Sequence, residues 1–332
     1  MLVRYLFLLL LTVNVCSGQS NDSTYAQKLG YPKGAKVLIL HVDDAGMSFE
    51  SNDGTIKAIT NGAANSCSIM MPCPWVPGFV KFLKQHPGID AGLHLTLTSE
   101  WKNYRWGPVA GKKQVPGLTD EEGYLWHGVE DVVKHASADE VEKEITAQLE
   151  RALSLGFKPT HLDSHMGTLF ASPEFLQRYI KVGIENNIPV MLPGGHDALI
   201  QKQTQASDER VNHLRAIGKR LWSSGLPVLD DLHNESYAWK IDSSIQNDDK
   251  KIQAFKTKKY IEAIKSLRPG VTMMIMHCTA TTAVFSEISD SGPLRKGDLL
   301  AMLDPLLKKA LQQEGIILTT WKELKERRDK GK

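Results

Sequence analysis

The chain alternates short apolar runs with segments in which apolar residues recur at helical spacing. The first run, residues 36–42, is almost continuously apolar, which is typical of a strand buried on both faces of a parallel sheet. Further runs of this kind lie at residues 65–71, 89–96, 160–163, 189–192, 271–277 and 315–320. Each run is expected to form one strand.

The segments between these runs predict helices. The clearest begins after Ser137, a good N-cap residue, and places Val141, Ile145 and Leu149 on one face. Helices are also expected near residues 48–60, 75–85, 172–186, 256–267 and 299–314. Strands that alternate with helices predict an α/β fold with parallel strands, and six or seven such units favour a distorted (β/α) barrel in a single domain over an open sheet.

The first 18 residues have the pattern of a secretory signal peptide. Arg4 supplies a positive charge, residues 5–15 are apolar, and Cys16 begins a stretch of small residues. The apolar run is too short to cross a bilayer, which needs about 20 residues. The sequence therefore predicts export, periplasmic or secreted, with the domain at residues 19–332. A retained anchor and a lipoprotein attached through Cys16 are alternatives, but residues 13–15 fit a lipoprotein signal poorly.

Charge and cysteine content narrow the class of protein further. Forty basic residues against 38 acidic ones leave a net charge of +2, which disfavours a nucleic-acid partner bound by bulk electrostatics. After the signal peptide, Cys67, Cys73 and Cys278 remain, an odd number that is no disulfide framework, although one bridge stays open. No Cys-x-x-Cys spacing occurs, so a zinc ribbon is excluded. A homodimer is compatible with this composition.

Most of the predicted strands end in acidic or histidine residues, and functional groups collect at the carboxyl ends of strands in α/β folds. The residues at these positions are Asp43, Asp44, His94, Asp163, His165 and His277. Adjacent carboxylates at the end of a buried strand are costly unless a positive group neutralises them. A divalent cation would do so by binding one carboxylate and leaving the other free as a base. The alternative is a helix-capping acid with a salt-bridged neighbour.

The histidines complete a metal-binding interpretation. Each alone is more simply a core or turn residue, but one carboxylate and two imidazoles together suit Zn²⁺ or a related ion. Asp43 would then act as general base and His277 as general acid. His41, His161 and Asp163 would support the ligands from behind.

Three other interpretations use the same residues. His41 and Asp43 have the His-x-Asp spacing of non-haem Fe(II) oxygenases, although those folds are largely all-β. Residues 37–44 resemble the start of a response-regulator receiver domain, but a signal peptide and a much greater length disfavour a cytosolic receiver. A sugar-binding protein without catalysis would leave the Asp43–Asp44 pair unexplained.

The same residues resemble the YdjC/ChbG-like carbohydrate deacetylase family, which is polysaccharide deacetylase-like. The resemblance rests on residues 41–48, 92–96, 159–165 and 276–278, which occur in the family's order. It implies a distorted (β/α) barrel that removes acetyl groups from N-acetylated amino sugars or oligosaccharides. The implied metal ligands, for Zn²⁺ or Mg²⁺, are Asp44, His94 and His165, with Asp43 as the base.

The chain departs from this family at three positions: Ala45 replaces a common aromatic residue, Gly167 stands where a further histidine is often found, and Cys278 replaces a common proline. A different substrate pocket is therefore expected. Arg295 either pairs with Asp298 or contacts the substrate. In the long aperiodic loop, aromatic residues either stack on sugar rings or pack the loop down: Trp101, Tyr104, Trp106, Tyr124 and Trp126. Hydrolysis of another amide or ester is the alternative reaction.

Overall fold

Parallel strands form the centre of the computed structural model, which describes residues 23–331. Over this range the strands are β1 (Lys36–Ala45), β2 (Ser66–Ile69), β3 (Ala91–Leu95), β4 (Leu162–Ser164), β5 (Asp231–His233), β6 (Gly270–Met276) and β7 (Ile317–Leu318). Their order is β4-β3-β2-β1-β6-β5, and β7 pairs with the start of β1. The long β1, buried along almost its whole length, is the central strand.

Single bridges continue the sheet between its two edges. Leu162 of β4 pairs in parallel with Val190, and Pro193 pairs in parallel with Leu229, two residues before β5. The sheet therefore curls into a distorted barrel with helices around it, and the predicted fold class is confirmed. The segment at residues 189–192, predicted as a strand, contributes the bridge at Val190 and is no regular strand in the described part of the chain.

Helices connect the strands on the outside of the barrel. Within residues 23–331 they are α1 (Tyr25–Lys28), α2 (Phe49–Thr60), α3 (Val76–Gln85), α4 (Val129–His135), α5 (Ala138–Ser154), α6 (Pro173–Glu185), α7 (Ala198–Thr204), α8 (Asp208–Ser223), α9 (Asp249–Ser266), α10 (Gly292–Leu303), α11 (Pro305–Gln313) and α12 (Trp321–Lys330). Ser48 caps α2 through its hydroxyl, and Ser137 forms a capping box with Glu140 at the start of α5. These two predicted starts are confirmed.

The predicted helix at residues 299–314 is wrong, because two helices occupy this region. The backbone bends at Asp304, whose carboxylate accepts the Leu306 N–H, and Pro305 starts the second helix. Proline has no N–H to continue the preceding helix and its ring disfavours helical geometry in the residue before it. The strand β5 and the helices α7 and α8 were not predicted, because they carry little apolar periodicity.

The signal-peptide prediction lies outside the described residues. Between residues 23 and 331, no helix combines the length and the apolar character that crossing a bilayer requires. Cys67, Cys73 and Cys278 are buried free thiols. In the long loop, Trp106 is buried and Trp126 stacks on His135 with ring centroids 4.5 Å apart. These two aromatic side chains pack the loop against the barrel.

Candidate active site

The carboxyl ends of β1, β3, β4 and β6 bring the acidic and histidine residues together. Asp43 and Asp44 lie at the end of β1, and His94 lies in β3 next to Asp163 of β4. His165 directly follows β4 and His277 directly follows β6. Parallel strands end at the same edge of the sheet, so positions that are far apart in sequence share one pocket.

A distortion in β1 explains how two adjacent carboxylates face the same site. Side chains alternate between the two faces of a regular strand, which would separate Asp43 from Asp44. The pairing with β2 shifts register between Val42 and Ala45, and Asp44 adopts the left-handed conformation at φ 67°. A non-glycine residue in this region is uncommon and costs about 1 kcal/mol or more. The turn directs both carboxylates into the pocket.

Asp44, His94 and His165 bring three atoms that could hold a metal ion close together. The Oδ1 atom of Asp44 lies 3.3 Å from Nε2 of His94 and 3.3 Å from Nδ1 of His165. This oxygen is buried and has no hydrogen-bond partner in the described part of the chain. Ligand atoms about 2.0–2.1 Å from a tetrahedral Zn²⁺ lie about 3.3 Å apart. The donor set and its unpartnered oxygen therefore fit a divalent cation.

Arg295 holds the other oxygen of Asp44. Its Nη1 donates to Oδ2 of Asp44 at 2.6 Å, and both side chains are buried. Burial would raise the pKa of Asp44, but Arg295, His165 and His94 together outweigh it, and the pKa falls well below its usual range. The carboxylate is therefore charged and available as a ligand. Arg295 does not pair with Asp298, which was one of the two predicted arrangements.

A buried network supports the site from within the barrel. Nε2 of His41 lies 3.2 Å from Oδ1 of Asp43 and 3.0 Å from Oδ2 of Asp163. The other oxygen of Asp163 contacts Nδ1 of His94 at 2.7 Å. Burial would lower the pKa of His41, but the hydrogen bonds to Asp163 and Asp43 raise it to about 9. The two carboxylates therefore favour the charged form of His41, whose Nε2 lies between them.

Asp90 connects this network to α12. Its Oδ2 accepts the Ser66 hydroxyl at 2.6 Å, and Ser66 Oγ lies 2.9 Å from Nδ1 of His41. The same carboxylate accepts the N–H groups of Trp321 and Lys322 at the start of α12. The Trp321 ring also stacks on His161, with centroids 5.2 Å apart. On its other side, Nε2 of His161 lies 3.7 Å from Oδ2 of Asp163, so His161 lies between Trp321 and the buried network.

His277 also lies near Asp43. Its Nε2 lies 4.0 Å from Oδ2 of Asp43, and its backbone N–H donates to Asp298 at 3.0 Å. Asp298 is fixed in turn by the buried ammonium of Lys256 at 2.7 Å. Burial is the main reason that the pKa of His277 lies below its usual value. His277 is therefore a neutral imidazole near neutral pH, able to accept a proton and pass it on.

Three exposed aromatic residues lie near the site residues. The Tyr237 ring, 43% exposed, meets the His277 ring edge-on with centroids 4.9 Å apart. Phe49 and Trp75, which are 51% and 44% exposed, contact each other. The backbone N–H of Trp75 donates to the carbonyl of Gly46, two residues after Asp44. These rings form an apolar rim beside a charged centre.

The chain matches the YdjC-like protein family over residues 37–313. It belongs to the YdjC-like family. The resemblance carried by the sequence motifs is therefore confirmed, and the matched range contains every residue of the pocket and its rim.

Several relatives of this YdjC-like chain are named deacetylases. A carbohydrate deacetylase of Thermus thermophilus is 36% identical over 166 residues, which is 50% of this chain and 57% of that protein. A carbohydrate deacetylase of Thermoanaerobacter pseudethanolicus is 24% identical over 87% of this chain and 100% of its own length. The chain thus spans little more than half of the Thermus relative but the whole of the Thermoanaerobacter one.

A solved structure shares the fold. A protein of Enterococcus faecalis V583 named for cellobiose-phosphate cleavage superposes with a TM-score of 0.69 at 20% identity, covering 87% of this YdjC-like chain and 99% of the other. At this identity the likeness concerns the fold alone. It agrees with the distorted barrel described above.

One residue near the metal-ligand set was not predicted. Glu100 of the YdjC-like chain lies in the loop after β3, with Oε1 3.0 Å and Oε2 3.2 Å from Nε2 of His165. Burial would lower the pKa of His165, but Glu100 and Asp44 outweigh it and raise the pKa to about 9. In the sequence, Glu100 is only an acidic residue six positions after His94, and this signal is too weak to single it out.

Proposed function

We propose that this protein is a metal-dependent hydrolase that removes acetyl groups from N-acetylated amino sugars or oligosaccharides. The observation that carries the proposal is the unpartnered Oδ1 of Asp44, 3.3 Å from both His94 and His165, with Asp43 beside it. Membership of the YdjC-like family and the names of the relatives support the deacetylase class. Asp44, His94 and His165 would hold Zn²⁺ or Mg²⁺.

The proposed reaction divides the work between Asp43 and His277. The chemistry that a bound divalent cation supplies is a lowered pKa for water and a polarised acetyl carbonyl. Asp43 accepts the proton of the attacking water, and His41 keeps its carboxylate in place. His277, whose Nε2 lies 4.0 Å from Oδ2 of Asp43, takes this proton from Asp43 and passes it to the leaving amine, which leaves both side chains as they began. The products are acetate and a free amino sugar.

The rim supports a sugar as the substrate. Tyr237, Phe49 and Trp75 expose ring faces next to the pocket, and aromatic rings pack well against the apolar face of a pyranose. Acetate would lie inside near Asp43, and the sugar would lie outside against these rings.

An acetate-release screen tests the proposal. Protein stripped of metal and then reloaded with Zn²⁺, Mg²⁺ or Co²⁺ is offered N-acetylated sugars, O-acetylated sugars and simple acetyl amides. Release from N-acetylated sugars, abolished by chelator, is the expected result. Release from O-acetyl esters alone would favour the alternative hydrolase, and sugar binding with no release from any compound would favour a non-catalytic binding protein.

Asp43→Asn provides the matched variant for the base. The amide keeps the shape of the side chain but cannot accept the proton, so turnover should fall by about 100-fold or more. Metal content should stay that of the wild type, because Asp43 is not among the proposed ligands. Full activity in Asp43→Asn would contradict the mechanism.

Export through residues 1–18 is proposed separately, and N-terminal sequencing of the protein recovered outside the cytoplasm would test it.

A further inference from the structure

Glu100 contacts His165, a proposed metal ligand, at the ring nitrogen that faces away from Asp44. His165 directs Nδ1 toward Oδ1 of Asp44 at 3.3 Å, while its Nε2 lies within 3.0 and 3.2 Å of the two Glu100 oxygens. The imidazole is almost fully buried, whereas the Glu100 carboxylate is about one-fifth exposed. Glu100 therefore closes the outer side of His165 at the edge of the pocket.

To bind a metal, the His165 imidazole must give up one proton and become neutral. The neutral ring keeps a proton on one nitrogen, and the nitrogen without it is the one that can bind the metal. Two carboxylate oxygens at Nε2 accept a hydrogen bond there and so favour the form protonated at Nε2. The lone pair of Nδ1 is then free toward Asp44 and His94. Without Glu100, nothing else in the described hydrogen bonds of the His165 ring would select this form.

The second proposed histidine ligand has an equivalent partner. Nδ1 of His94 contacts Oδ1 of Asp163 at 2.7 Å, and Nε2 of His94 faces Asp44 at 3.3 Å. Each histidine thus has one nitrogen toward Asp44 and the other on a carboxylate. The two rings direct different nitrogens toward Asp44, Nε2 in His94 and Nδ1 in His165. The remaining nitrogen of each ring is paired with its own carboxylate, Asp163 for His94 and Glu100 for His165.

We propose that Glu100 is a positioning residue that fixes His165 as an Nδ1 metal ligand. This inference rests on the proposed function, since it concerns the metal of that site. Glu100 acts through His165 and does not itself hold the ion. Carboxylate partners of histidine ligands typically contribute about 10–100-fold to metal affinity.

The test compares Zn²⁺ dissociation constants, measured by competition with a chromogenic chelator, for the wild type, Glu100→Ala and Glu100→Gln. Glu100→Ala should bind Zn²⁺ about 10–100-fold more weakly. Glu100→Gln should recover part of this loss, because its amide oxygen still accepts from Nε2. Glu122→Gln, an exposed acid in the same part of the chain, is the matched control and should bind as the wild type does.

Nitrogen-15 spectra of the Zn²⁺-loaded proteins supply a readout that a purely structural role would not change. His165 should carry its proton on Nε2 in the wild type and lose this preference in Glu100→Ala. Co²⁺-loaded wild type and Glu100→Gln should have visible bands of the same intensity. A changed intensity would make Glu100 a ligand and overturn the positioning role.

The failures are distinguishable. Wild-type Zn²⁺ affinity in Glu100→Ala, or an unchanged His165 tautomer, overturns this inference alone. A wild-type protein that binds neither Zn²⁺ nor Co²⁺ overturns the proposed function and this inference with it.

Discussion

Replacing Asp197 with Asn should stabilise the protein, and increasingly so as the pH rises. The Asp197 carboxylate is fully buried, and neither oxygen has a hydrogen-bond partner among the described residues. Burial raises its pKa to about 7, and Asp231 and Asp230 add to the rise against the opposing effects of Arg215 and His196. Asp197 also has φ 56°, a conformation that asparagine tolerates well.

The sign and size of this effect on the free energy of unfolding follow from the linkage between protonation and folding. The pKa of Asp197 is about 7 in the fold and 3.8 ordinarily, so its contribution to stability is present below pH 4 and lost as the pH rises to 7. Each pKa unit corresponds to about 1.4 kcal/mol, so the ionised side chain costs about 4 kcal/mol at pH 8. At pH 5 the cost is about 2 kcal/mol, because the native side chain is then protonated. Asparagine avoids this cost at every pH.

Urea unfolding at pH 5, 6, 7 and 8 measures the effect as the difference in free energy of unfolding between Asp197→Asn and the wild type. The difference should grow with pH and level off above pH 7. Asp290→Asn is the control, since Asp290 is exposed, and its difference should stay near zero throughout. A difference for Asp197→Asn that is flat with pH, or negative at pH 8, would refute the reasoning.

Three further changes test the site. His165→Ala should lose the bound metal when metal content is measured by mass spectrometry, and unchanged content would remove His165 from the ligand set. Tyr237→Ala should raise KM for an N-acetylated oligosaccharide by about 2- to 10-fold with kcat little changed, because a lost ring contact is worth about 0.5–1.5 kcal/mol; a fall in kcat alone would contradict a role in sugar binding. Lys256→Met should lower the free energy of unfolding by about 3–5 kcal/mol, since it leaves the buried Asp298 carboxylate without its cation; a change below about 1 kcal/mol in urea unfolding would contradict this.

The barrel and the residues at its strand ends could be predicted from the sequence, because both depend on local patterns. Continuous apolar runs mark buried parallel strands, and polar residues at their ends must share one edge. Asp43, Asp44, His94 and His165 follow from this rule alone. The assignment of metal ligand and base within the set was implied by the family resemblance and stays a prediction.

Features that depend on tertiary contacts could not be predicted. Glu100 lies 65 positions from His165 in sequence, and only the folded loop brings them together. Lys256 begins a lysine-rich stretch at residues 256–259, a pattern typical of an exposed face, yet it is buried against Asp298. The aromatic side chains exposed at the rim, Phe49, Trp75 and Tyr237, lie outside the loop in which sugar contacts were sought, because exposure is a property of the fold and not of composition.

The link from Asp90 to α12 has a consequence for how the protein becomes active during synthesis. Residues 41–44 leave the ribosome early, but Asp90, which supports His41 through Ser66, is not itself held until Trp321 and Lys322 have been made. Trp321 must also arrive before His161 has its stacking partner. A nascent chain that already contains the whole range shared with the YdjC-like family therefore still lacks the support of its active site. Activity should therefore require that α12 has joined the barrel.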